Sequence, residues 1–92
     1  MKIVWDEEKN KDNIKNHKVS FQEAETVFYD PHAKIIHDPD HSAEEDRFII
    51  LGISKLSKLL VVCHCYREDD EIIRIITARK ATKNEAKEYG GK

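Results

Sequence analysis

Apolar residues in the first third of this chain are sparse and helically spaced, whereas most of the remainder carries short dense runs broken by turn residues. Residues 2–5 predict a short opening strand. Asp6 offers an N-cap, Glu7 and Glu8 suit the positive end of a helix, and residues 6–17 read as that helix. Its apolar face is thin, with Ile14 the only large aliphatic residue, so it needs tertiary support. Trp5 is the nearby anchor. A stronger signal follows in Ser20-Phe21-Gln22-Glu23, a capping box, with Val19 and Ala24 placed as a hydrophobic staple. Phe21, Ala24, Val27 and Phe28 share one helical stripe, and Asp30-Pro31 ends the helix because the residue before proline avoids the helical region.

Strands come next. Residues 33–37 form the first, and Asp38-Pro39-Asp40-His41-Ser42 is a turn. Residues 47–54 form the second. Its stretch from Phe48 to Leu51 is apolar on both faces, which predicts a central strand covered on both sides. Residues 59–67 form the third, 68–71 an acidic hairpin turn, and 72–78 the last strand. Thr82-Lys83-Asn84-Glu85 is a second capping box, opening a short closing helix that frays at Gly90-Gly91. The order is strand, two helices, four strands, helix. Short links between consecutive strands predict an antiparallel meander: an α+β domain with an antiparallel sheet of four to five strands, two N-terminal helices and a short C-terminal helix.

Length and composition narrow the setting. Ninety-two residues make one domain, 1–92, with a single small core. The longest apolar run, residues 59–63, is far short of the ~20 that a membrane span needs. Residues 1–5 are too short for a signal-peptide core, and acids follow at once. Two cysteines build no disulfide framework, which points to a reducing cytoplasm. The net charge of −2 hides an asymmetry: residues 1–46 hold six Lys and no Arg against twelve acids, whereas residues 47–92 hold ten Lys and Arg against six acids. All four arginines (Arg47, Arg67, Arg74 and Arg79) lie in the second half, so anion binding belongs there.

Few residues carry chemistry by spacing alone. Cys63-His64-Cys65 lies on a strand, where both cysteines share a face and His64 points away, so the three cannot converge on one zinc. Two core cysteines explain the pattern. His37, Asp38, Asp40 and His41 could together hold a divalent cation, but they lack the regular spacing of a calcium loop, and turn chemistry accounts for both acids. No metal or cofactor is expected. Arg67 and Arg79-Lys80 end partner strands and should therefore lie at opposite ends of them. By strict alternation Arg79 shares a face with Ile73, Ile75 and Thr77, and Arg74 takes the other face, where an ion pair is its expected role.

Several stretches form a specific pattern in their order and spacing. They are Trp5-Asp6-Glu7 with Lys9-Asn10 and Asn13, then His17 followed by Val19-Ser20-Phe21 and Glu23-Ala24, and Val27-Phe28 with Asp30-Pro31. Asp38-Pro39-Asp40-His41-Ser42 with Glu45 and Arg47-Phe48-Ile49 follows, and Arg74-Ile75-Ile76-Thr77-Ala78-Arg79-Lys80-Ala81-Thr82 closes the set. Taken together, these stretches resemble the BrnT family of toxins from bacterial type II toxin–antitoxin systems, and the resemblance covers nearly the whole chain. Two positions depart from the family: Lys18 stands where a glycine usually follows the histidine, and Tyr66 stands where an acid is common. A left-handed backbone at Lys18 would cost ~1–2 kcal/mol.

The resemblance implies a RelE-like fold and a small ribonuclease that blocks translation. It also implies a cognate ribbon-helix-helix antitoxin and, through that antitoxin, binding of operator DNA. In metal-free RNA cleavage the 2′-OH attacks the neighbouring phosphorus, a base takes its proton, cations hold the phosphorane charge and an acid protonates the departing 5′ oxygen. Arg67 and Arg79 are the phosphate candidates, supported by Lys80 and Arg47. His64 or Tyr66 would move protons, although His64 reads equally well as a satisfied core histidine. The competing function is a non-catalytic module that binds the antitoxin and tunes operator occupancy. Direct DNA binding finds no basic recognition helix, since Lys83 and Lys87 of the closing helix alternate with Glu85 and Glu88.

Overall fold

The computed structural model describes residues 1–43 and 45–89. Its elements run β1 (Lys2–Val4), α1 (Glu7–His17), α2 (Phe21–Thr26), a 3-10 turn (Val27–Tyr29), β2 (Lys34–His37), a 3-10 turn (Pro39–His41), β3 (Phe48–Ile53), β4 (Leu59–Arg67), β5 (Ile72–Lys80) and α3 (Lys83–Ala86). The predicted order of elements holds. The fraying expected at Gly90-Gly91 lies outside the described residues. No helix among the described residues is long and apolar enough to cross a membrane.

One topological expectation fails. The sheet has the order β1-β5-β4-β3-β2, and β1 pairs with β5 in parallel, Ile3 opposite Ile73. The sheet is therefore mixed rather than purely antiparallel. The meander from β2 to β5 is antiparallel as expected, but β1 returns to its far edge after the whole chain has intervened, a long-range pairing that local links do not reveal.

Both helices cover one sheet face. Val19, Phe21, Ala24 and Val27 are fully buried against Ile50, Leu60, Val62, Ile75 and Ala78. Gly52 lets β3 pass under this layer, because a Cβ there would lie 2.9 Å from both Val27 Cγ1 and Ala33 Cβ. The other face has no comparable layer among the described residues. Ile36, Ile49, Leu51 and Val61 line a pocket of about 230 Å³ bounded by Glu85 and Glu88; Leu51 and Val61 are buried there, so β3 is internal as predicted, covered by helices on one face and by side chains alone on the other.

The thin apolar face of α1 is answered by amides. Asp6 caps it, accepting from Glu8 N and Lys9 N, and Trp5 packs edge-on to Phe21 at 6.2 Å. Ile14 stays exposed, whereas Asn10 and Asn13 are buried. Asn10 Oδ1 accepts from Phe21 N at 2.8 Å. Asn13 Nδ2 donates to Val19 O and Ala78 O, both at 2.8 Å, and its Oδ1 accepts from Ala78 N at 3.0 Å. β1 pairs only with residues 72–74 of β5. Further along, one asparagine amide satisfies both backbone groups of Ala78 as a neighbouring strand would.

The capping signals divide. Thr82 and Glu85 form the full reciprocal box. Ser20 accepts from Glu23 N at 3.0 Å, but the buried Glu23 carboxylate takes the Ser54 hydroxyl at 2.6 Å instead of turning back. Only half of the first predicted box exists. A carboxyl group buried this far needs a hydrogen-bond donor, and the Ser54 hydroxyl supplies it.

Lys18 ends α1 at φ 61°, ψ 27°, its N–H donating to Ile14 O. The left-handed position is thus occupied by a residue with a Cβ. Lys18→Gly should stabilise the fold by about 0.5–1 kcal/mol after the extra unfolded-state freedom of glycine is subtracted. A rise in melting temperature of roughly 3–6 °C checks this; an unchanged or lower value would show that the lysine conformation carries no strain.

Candidate nucleic-acid interface

The residues that decide the site lie on the open sheet face, and a single register shift puts them there. On β4, Leu60, Val62 and His64 are buried on the helix side, so Val61, Cys63, Cys65 and Arg67 point the other way. β5 pairs Arg79 with Val61 and Thr77 with Cys63, then shifts, so that Ile75 faces His64 and Arg74 faces Cys65. Ile76 is the extra residue of a β-bulge. Alternation restarts there, and Arg74 and Arg79 emerge on the same face. The expectation that they oppose one another is corrected, as is the placing of Arg79 with Ile73 and Ile75, which are buried beneath the helices. The adjacent pair Ile75-Ile76 in an otherwise alternating strand is the sequence trace of this bulge.

Arg47 joins the same face. It precedes β3, in phase with Ile49, which pairs with Cys63. Arg47 and Arg79 line one pocket of about 220 Å³ with Asp38, Ile49, Val61, Cys63, Ile76 and Thr77. All four arginines of the chain therefore project from one face. Two are matched by acids. Arg79 forks onto Glu85 with both contacts at 2.8 Å, and chiefly this pairing holds the Glu85 carboxyl down at about 2. Arg67 reaches Glu45 at 3.2 and 3.4 Å. Arg47 Nε is buried with no hydrogen-bond partner among the described residues. Arg74 has no ion-pair partner among them either, so its expected ion pair is absent.

The family model for the "ribonuclease toxin, BrnT, of type II toxin–antitoxin system" matches residues 5–85. The chain belongs to the BrnT family. The structure is similar to the crystal structure of the Brucella abortus ribonuclease toxin BrnT, with a TM-score of 0.68 and 26% identity, covering 90% of this chain and 99% of that one. A comparison with curated protein sequences found no match.

Within this BrnT chain the six residues singled out from sequence do not form one cluster. Arg47 and Arg79 share the pocket. Arg67 lies six residues of strand beyond Val61, the partner of Arg79, which is roughly 20 Å. Lys80 pairs with Leu60 and is exposed at the strand end, on the other face. His64 and Tyr66 also belong to the helix face. His64 is fully buried, with Nδ1 3.2 Å from Val62 O, Nε2 3.4 Å from the Tyr66 hydroxyl, and its ring edge-on to Phe28 at 4.9 Å. Burial pushes its pKa down, against a smaller opposing effect of the Val62 carbonyl. Burial and then Asp70 push the Tyr66 hydroxyl up. His64 is thus packed in the core, on the side of the sheet away from the arginines.

This has a pH consequence. A histidine whose folded pKa lies below its unfolded value of about 6.5 binds fewer protons when folded. Its contribution is present above pH 6.5 and is lost as the pH falls below it. Urea unfolding from pH 7.5 to 5 should show stability declining below 6.5, with a shallower decline in His64→Phe. Parallel slopes in the two proteins would reject the assignment.

The cysteines behave as alternation predicts in sharing a face, but that face is the open one. Cys63 is half-buried in the pocket and Cys65 is buried. Burial pushes both thiols up, with Arg47 partly opposing this at Cys63, so neither is a ready nucleophile. In the turn before β3, His37 Nε2 lies 3.3 Å from Asp46 Oδ1 and 3.4 Å from Ser42 Oγ. Both partners approach the same nitrogen, so this is no relay from acid through imidazole to hydroxyl. Ser42 Oγ is already engaged, donating to Asp38 O and accepting from Arg47 N. The side chain of His41, part of the predicted cation loop, lies outside the described residues. Sequence reasoning weighed Asp38 only as a cation ligand or turn residue and passed over Thr77, because only tertiary pairing brings both to the pocket.

Proposed function

We propose that this chain is a metal-independent endoribonuclease toxin that uses its open sheet face to hold RNA. The observation that carries the reading is the gathering of all four arginines on that face, which offers forked donors to successive phosphates. Arg47 and Arg79 would grip the scissile phosphate over their shared pocket, with Arg67 and Arg74 tracking the flanking backbone. Asp38, the carboxylate lining the same pocket, would take the 2′-OH proton as the 2′ oxygen attacks phosphorus. The P–O5′ bond then breaks to leave a 2′,3′-cyclic phosphate, and the departing 5′ oxygen takes a proton from water. Charge on the phosphorane is stabilised by guanidinium groups fixed before reaction. The fold is placed with the RelE-like ribonucleases on the same reading, and the site of action is the cytoplasm. A cognate ribbon-helix-helix antitoxin would neutralise the toxin and carry the complex to operator DNA; the acidic N-terminal half suits a basic antitoxin segment.

A second reading has its own observation. Arg67 and Arg79 each hold a local acid, as they would in a module that only binds its antitoxin. The test is incubation of purified protein with an RNA oligonucleotide and with its 2′-deoxy counterpart, in EDTA. Cleavage of the RNA alone, with cyclic phosphate ends, is expected. No cleavage would leave the binding module, and activity abolished only by EDTA would replace the mechanism with a metal-dependent one.

A further inference from the structure

We infer that Glu85 is a built-in phosphate mimic that occupies Arg79 and must leave before RNA can be gripped there. The inference rests on the proposed function and goes beyond it to how the site is regulated. Two parallel contacts at 2.8 Å place the carboxylate where two phosphate oxygens would bind, and Arg79 Nη1 also donates to Lys80 O at 3.3 Å. Arg79 therefore cannot present this end-on pair of donors to a phosphate while Glu85 is seated, and its charge is matched.

The mounting of Glu85 makes release feasible. It lies in α3, a four-residue helix that buries none of its residues. The helix is tied down by the Thr82–Glu85 box, by Arg79, and by the Tyr89 hydroxyl donating to the Asp30 carboxylate. Segments with so little buried surface open at low cost. An incoming phosphate would exchange one anion for another on Arg79, and α3 would swing away with the displaced carboxylate. The two anions compete, so Glu85 weakens RNA binding in proportion to its hold on Arg79 and holds the site closed when RNA is absent.

Glu85→Gln is the discriminating variant, because glutamine at the same helical position keeps the capping box while losing the charge. Binding of a non-cleavable 2′-deoxy-substituted oligonucleotide should tighten roughly tenfold relative to the unaltered protein. The dependence of log K on log salt should steepen by about 0.7, the value of one further phosphate contact on a single strand. A merely structural role would leave that slope unmoved. Arg79→Gln combined with Glu85→Gln completes the set. If Glu85→Gln binds no tighter than the unaltered protein but loses affinity on adding Arg79→Gln, Arg79 touches phosphate and the mimic is overturned alone. If adding Arg79→Gln changes nothing, the phosphate role of Arg79 falls, and the mimic with it. Unchanged melting temperatures confirm that the comparison is between folded proteins.

Discussion

Asn13→Ala is expected to destabilise the protein by about 3–5 kcal/mol, against a total stability on the order of 5–10 kcal/mol for a domain of this size. The asparagine makes three buried hydrogen bonds, to Val19 O, Ala78 O and Ala78 N. Alanine removes all three and leaves those backbone groups without a protein partner. Each orphaned group costs ~1–3 kcal/mol, and partial relaxation or an entering water offsets part of the sum. The melting temperature should fall by roughly 20 °C. Asn16→Ala, on the exposed face of the same helix, should change stability by less than about 0.5 kcal/mol. A loss below about 1 kcal/mol for Asn13→Ala would mean that α1 is held by Trp5 and the sheet, not by its amides.

Arg47→Met should separate function from stability. Methionine fills much of the same space but offers no donor. RNA cleavage should fall by about 10²–10³, the usual effect of removing one fixed donor from a developing oxyanion. The fold should lose nothing, and its melting temperature should hold or rise, because Arg47 Nε is buried without a partner among the described residues. Arg47→Lys should recover only part of the rate, since a point charge cannot fork onto two oxygens. Cleavage retained in Arg47→Met would remove the pocket from the mechanism. A steep loss of stability would instead make Arg47 a structural residue.

The fold was legible where local chemistry dictates it. The caps at Asp6 and Ser20 and the strand at Leu59–Arg67 follow from nearest neighbours and appear where predicted, whereas α2 ends at Thr26 and only a 3-10 turn runs on to the extended Asp30. Three features were not legible, each for a nonlocal reason. The parallel pairing of β1 with β5 joins segments some seventy residues apart. The anchoring of α1 by Asn10 and Asn13 runs against the rule that helices dock through apolar stripes, because here the partner surface is open backbone. Glu23 has the spacing of a capping residue but spends its carboxylate on Ser54, thirty-one positions away.

For the candidate site the division is sharper. The sequence by itself determined the family, the confinement of arginine to the second half, and the separation of Arg67 from Arg79 along paired strands. It placed the two cysteines on one face and His64 on the other. Only the tertiary structure decided which arginines meet. Strand alternation counts residues, and one bulged residue reverses every assignment beyond it. Ile76 is that residue. It turns Arg74 to the same side as Arg79 and Thr77, while the turn after β2 brings Asp38 to their pocket and the alternation of β4 keeps His64 under the helices.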